Sequence, residues 1–151
     1  MNKTLNKTIL ALLCLTVLPA AARWEMIGEG ETIYIFADRD NINRDGTLAR
    51  MQHLLDYKEH QSEGVKPYQS WRVDAEYDCA AFRYRELSAT FHPHRLGEGS
   101  AVSATHYPGN WQPIPPATGL DRLGRIACDR PDEDKARKVK PAPPISPLRR
   151  Y

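Results

Sequence analysis

Gln69-Ser70-Trp71-Arg72-Val73-Asp74-Ala75-Glu76-Tyr77 alternates apolar and polar side chains. Trp71, Val73, Ala75 and Tyr77 fall on one side of an extended chain, and Arg72, Asp74 and Glu76 on the other. Successive side chains of a strand point to opposite faces, so this pattern predicts an antiparallel sheet with one covered and one wet face. Neighbouring segments follow suit. Ile33 and Ile35 oppose Tyr34 and Phe36, and Ala49, Met51, His53, Leu55 and Tyr57 form a same-face series. Phe82 and Tyr84 are in phase, whereas Leu87, Ala89 and Phe91 are in the opposite phase. A bulge near Arg85-Glu86 accounts for the slip. Val102 and Ala104 mark a weaker last strand.

Turn chemistry separates these runs. Gly28-Glu29-Gly30 links a short strand around Trp24 to Met26 with the next, and Asp45-Gly46 is a hairpin signal. The stretch Asp38 to Asn43 is rich in turn-forming Asp and Asn, with Ile42 placed to plug the sheet's end. Ser62-Glu63-Gly64 and Pro67 mark a longer connection. After Tyr107, Pro108-Gly109, Pro113, Pro115 and Pro116 predict an extended crossing segment that packs Trp111 and Ile114. Thr118 is then placed to cap a helix running to about Ala127, with Leu120, Leu123, Ile126 and Ala127 at helical spacing.

The ends differ from this middle. Lys3 and Lys7, the apolar run Ile9 to Leu18, Pro19 and Ala20-Ala21-Ala22 read as a signal peptide over 1–22. Its apolar run is short of the roughly 20 residues a spanning helix needs, so no transmembrane span is expected after cleavage. Leu13 precedes Cys14 where a lipid-anchor cysteine follows a small residue, so lipidation is not expected. Residues 129–151 carry seven basic and four acidic residues and a proline run from Pro141 to Pro147, which predicts a disordered tail. The 151-residue chain has a formal net charge of only +2, which argues against a nucleic-acid partner. Its length fits one domain, 23–128, between signal and tail.

Without Cys14, Cys79 and Cys128 remain. An exported chain with an even cysteine count predicts one disulfide, tying the end of the Trp71 strand to the end of the helix. The enclosed loop of about 50 residues gives a stabilisation of about 4 kcal/mol on chain-entropy grounds.

Signatures of catalysis are missing: there is no P-loop, GxGxxG, HExxH or GxSxG. His92-Pro93-His94 is the one suggestive constellation, since i and i+2 on a strand share a side. Pro93 and Gly97 place it instead at a strand end or loop, and no third ligand presents itself. His53 sits on the apolar face and reads as a buried, hydrogen-bonded histidine. Glu59 and Glu63 offer paired carboxylates in a loop full of polar residues. Trp24, Trp71 and Trp111 could form a binding platform, though core packing is the commoner use. No cofactor, metal or catalytic residue is assigned, and the ligand-binding residues stay unknown at this level.

The order of motifs carries further information. Trp24 is followed by Thr32-Ile33-Tyr34-Ile35, the Asp38–Ile42 turn, Arg44-Asp45-Gly46 and Leu55-Asp56-Tyr57. Then come Lys66-Pro67-Tyr68-Gln69-Ser70, Glu76-Tyr77-Asp78-Cys79, Arg83-Tyr84-Arg85, Trp111-Gln112-Pro113-Ile114-Pro115-Pro116 and Cys128. Over about residues 23 to 128 this resembles the bacterial surface-adhesin protein E family. The resemblance implies an α+β fold: a small antiparallel sheet of about six strands with a C-terminal helix packed on it and one disulfide. It also implies an exported, non-enzymatic binding module of a Gram-negative cell, in the periplasm, at the outer membrane or secreted. Its partner would be a protein, either host matrix or serum protein or an envelope component. The alternative is a periplasmic structural or interaction protein with no adhesin role. An exposed sheet edge could pair two copies into a homodimer.

Overall fold

The alternating segment becomes the middle of a broad sheet. The computed structural model describes residues 23–62, 66–106 and 108–131. The expected signal peptide with Cys14, the tail beyond 131, Glu63 and Tyr107 lie outside the described residues.

Three long strands form the centre: β4 (Leu48–Gln61), β5 (Tyr68–Asp78) and β6 (Arg83–His92). Around them lie β1 (Trp24–Glu29), β2 (Ile33–Asp38), β3 (Asn43–Asp45), β7 (Ser103–Thr105) and β8 (Gln112–Pro113). The main order is β1-β2-β4-β5-β6-β7, and all described pairings are antiparallel. Six strands make this path, as the alternation predicts, and two short ones raise the sheet to eight. Long strands have room for two short neighbours each. β4 takes β2 along 53–57 and β3 along 48–50, while β6 takes β7 along 89–91 and β8 along 83–84.

The register settles the faces. Ala49 pairs with Tyr77, Met51 with Ala75, His53 with Val73 and Leu55 with Trp71. Those residues share the face that carries the core with Ala37 and Ala89. The slip in β6 is a bulge at Leu87, because Asp74 pairs with Ser88 and Ala75 with Glu86. It lies one residue beyond the Arg85-Glu86 position expected. Ile42 is partly buried against the core.

One helix, α1 (Gly119–Ala127), covers this face with Leu123 and Ala127. Nine residues are too few to hold a helix in isolation. Several contacts fix it. The Thr118 hydroxyl accepts from Asp121 N at 3.1 Å, and the Asp121 carboxylate accepts back from Ala117 N at 3.2 Å. Arg125 pairs with Asp121 one turn on. At the far end Arg44 donates to the carbonyls of Ala127 (2.8 Å) and Ile126 (3.0 Å), where the helix dipole favours a cation. Gly119 allows the close approach: a Cβ there would lie 2.1 Å from Ile35 Cδ1. A disulfide joins Cys79, just past β5, to Cys128, just past α1, with 5.4 Å between their Cα atoms.

Candidate functional site

The face opposite α1 is where the structure departs from a simple wet surface. Its strands present Arg50, Gln52, Leu54 and Asp56 on β4 and Ser70, Arg72, Asp74 and Glu76 on β5. Leu54, Asp56, Ser70 and Glu76 are nonetheless buried, Asp56 completely. The expectation of one dry and one wet face is corrected here, and the cause is twofold.

First, arginines close over Glu76. Arg50 Nε meets Oε1 at 3.0 Å, and Arg85 reaches Oε2 through Nε at 2.8 Å and Nη2 at 2.5 Å. Burial works against the charge on Glu76, but the hydrogen bonds from Arg85 and Arg50 outweigh it and hold its carboxyl below the usual range. Arg85 also lies 4.6 Å over the Trp111 ring, with Arg83 over the same ring at 5.0 Å.

Second, the chain after β6 folds back onto this face as a short 3-10 turn, Arg95–Gly97. Asp56 holds it, accepting from Arg95 Nε at 2.9 Å and Leu96 N at 2.9 Å. Ser70 Oγ donates to the carbonyl of His94 at 2.5 Å and accepts from Gly97 N at 2.9 Å. Leu96 is in the left-handed region at φ 55°. Gly97 follows at φ 76°, where a Cβ would sit 2.8 Å from Arg72 Nη2. The result is a turn locked from beneath, with Leu96 41% exposed at its tip and Arg95 stacked 5.2 Å over Tyr34.

The histidine pair does not form a shared-face ligand set. β6 ends at His92, whose ring is buried between Thr90 Oγ1 (3.0 Å) and the carbonyl of Gly99 (2.9 Å). His94 is exposed in the turn beyond. Among the described residues no group of three or more His, Cys, Asp and Glu could hold a metal ion. His53 is buried on the core face, with Tyr77 Oη 3.4 Å from its Nδ1. Burial lowers its pKa to about 4, so it is neutral, and it shares a hydrogen bond with the Tyr77 hydroxyl, whose own pKa burial raises. Glu59 is exposed at the end of β4, and Glu63 is outside the described residues.

The three tryptophans do not make a platform. Trp71 stacks on Phe91 on the core face, beside Tyr68 and Tyr57 set edge to face. Trp24 lies under Arg72 and Trp111 under Arg83 and Arg85, so each serves a different arginine. Sequence reasoning missed Asp56, Ser70 and Glu76 as the polar centre of the fold. The signal available was their chemistry: an acid and a hydroxyl paired across β4 and β5 at Asp56 and Ser70, and an acid, Glu76, opposite Arg50.

The arrangement is one of fixed donors, acceptors and rings on a stiff sheet. The family model described as Surface-adhesin protein E matches residues 24–129. Among solved structures, the crystal structure of protein E from non-typeable Haemophilus influenzae matches with a TM-score of 0.51 at 18% identity, covering 78% of this chain and 88% of that one. At that identity the likeness shows a common fold. None of the curated proteins matches this chain.

Proposed function

The chain belongs to the surface-adhesin protein E family, and on that premise we propose that it is an exported, non-enzymatic module that binds host matrix or serum proteins at the cell surface. The observation that carries the reading is the family match across nearly the whole described domain. Two features support it. Residues 1–22 have the composition of a cleavable export signal, and the Cys79–Cys128 bridge is of the kind that persists in oxidising compartments. No helix among the described residues is long and apolar enough to cross a membrane. The pre-ordered turn at 94–96 is the surface we assign to the protein partner, because a turn locked before binding loses little entropy when a partner docks.

Surface labelling of intact cells, followed by fractionation, tests the location. Labelled protein is expected; protein confined to the periplasm would remove the adhesin role. That outcome would favour the second reading, a periplasmic interaction protein, which is motivated by Leu13 before Cys14 in place of a lipid-anchor signal. Leu96→Asn is expected to weaken binding to an immobilised matrix-protein panel while leaving the melting temperature unchanged. Pairing of two copies through the β1 edge, where Met26 is 56% exposed, would double the mass seen by light scattering.

A further inference from the structure

A groove of about 360 Å³ opens between the 38–43 turn and the outer face of β4 and β5. Elsewhere on this face polar side chains find partners: Glu76 has Arg50 and Arg85, and Asp56 has Arg95. In the groove Asn41 donates to Asp38 and Arg50 is spent on Glu76, but the other polar side chains find no hydrogen-bond partner among the described residues. Gln52 and Asp74 stand directly opposite each other in register, yet among the described residues neither side chain, nor that of Asn43, makes a hydrogen bond. Arg72 Nε is buried with no acceptor. Its guanidinium is held 5.6 Å over the Trp24 ring, so the fork is positioned without being used. A buried donor without an acceptor is costly, and Arg72 Nε is one, set beside three side chains that only water satisfies; a ligand in this cleft would supply partners to all four.

The lining defines that ligand by exclusion and by fit. Arg50 and Arg72 are matched by Asp38 and Asp74, so the groove selects neither a polyanion nor a cation. Its one apolar lining residue, Met51, is 1% exposed, so the accessible lining is mostly polar. Its volume lies at the small end of the roughly 300–1,000 Å³ typical of ligand clefts. Asn, Gln, Asp and Arg present planar, two-pronged groups, each able to grip a pair of neighbouring hydroxyls that both donate and accept. Burial also pushes the Asp74 carboxyl up, against the pull of Arg50.

We propose that this groove is a saccharide site that takes one or two uncharged sugar rings, with Asn43, Gln52, Arg72 and Asp74 bonding the hydroxyls. This goes beyond the protein-binding role and uses a different surface from the 94–96 turn. The test is an NMR titration of the ¹⁵N-labelled full mature chain with lactose and with N,N′-diacetylchitobiose. Saturable shifts are expected at amides of residues 41–43, 50–52 and 72–74, with a dissociation constant on the order of millimolar. Gln52→Ala and Asp74→Ala should each weaken binding about fivefold while leaving other amides in place. No saturable shift at those amides with either sugar up to roughly 50 mM, shifts centred elsewhere, or an equal response to free arginine or acetate would overturn the site. A free sugar and the end of a glycan share this chemistry. p-Nitrophenyl glycosides that bind as well as the free sugars assign a glycan end, and loss on blocking the reducing end assigns a free sugar.

Discussion

The two faces of one sheet are closed in opposite ways. Toward α1, alternate residues of β4 and β5 bury Ala49, Met51, Val73, Ala75 and Tyr77 beneath Leu123 and Ala127. On the other side, the residues between them bury Asp56, Ser70 and Glu76 beneath two arginines and a folded-back turn. The first face is held by apolar area and a covalent bridge, which tolerate small adjustments. The second is held by directed hydrogen bonds, which fix one geometry and are costly to leave half-made. Residues one step apart in sequence thus answer to different physics.

The largest blow to that contrast should come from the bridge. In a Cys79→Ser, Cys128→Ser double variant the 49-residue separation is no longer constrained in the unfolded chain. The expected loss is about 4 kcal/mol in urea unfolding. Hydrogen exchange should show where it falls: α1 amides lose protection first, while Leu96 N and Gly97 N, bonded to Asp56 and Ser70, keep theirs. Equal loss on both sides would mean that the faces are one cooperative unit.

The helix-covered face was legible in the sequence because each of its features is local. Alternation in 69–77, the Asp45-Gly46 hairpin and the Thr118 cap each specify their element within a few residues, and the two cysteines left besides Cys14 allow one bridge. The other face was not legible, since polarity at alternate positions tells which side avoids the core but not what folds over it. What covers Asp56 comes from 40 residues later. The pairing of β8 was hidden for a different reason: two residues, Gln112 and Pro113, are too short to show a period. The histidine pair was legible too, since Pro93 and Gly97 place it at a strand end, and β6 stops at His92.

Acid should load the core face next. His53 takes a proton near its ordinary value of 6.5 when the chain is unfolded but only at about 4 in the fold. The unfolded state therefore binds more protons between these values, and stability falls as pH drops through the window. The full loss, reached near the lower end, is about 3 kcal/mol. Urea midpoints measured from pH 7 to 4.5 should decline, and His53→Met should flatten the decline while leaving the Arg50–Glu76–Arg85 cluster to respond only at lower pH. An unchanged slope in the variant would place the acid sensitivity on the polar face instead.

The sharpest comparison comes from a smaller change made under the turn. Asp56→Ala removes the acceptor for Arg95 and for Leu96 N without touching the core. Arg95 is half exposed and regains water when released, so the charge itself is not stranded and the buried-ion penalty does not apply. The amide of Leu96 has lost a charged acceptor, and hydrogen bonds to charged groups contribute on the order of 2 kcal/mol. That is the expected drop in global stability. Its local consequence is larger. With Ser70 and the Arg95–Tyr34 stack left to hold it, the 94–96 turn should exchange more rapidly and loosen its left-handed geometry at Leu96. If that turn is the docking surface, partner affinity falls further than stability does, because the turn must then be ordered at the moment of binding. Loss of stability with affinity intact would show that Asp56 serves the fold alone and that recognition lies elsewhere on this face.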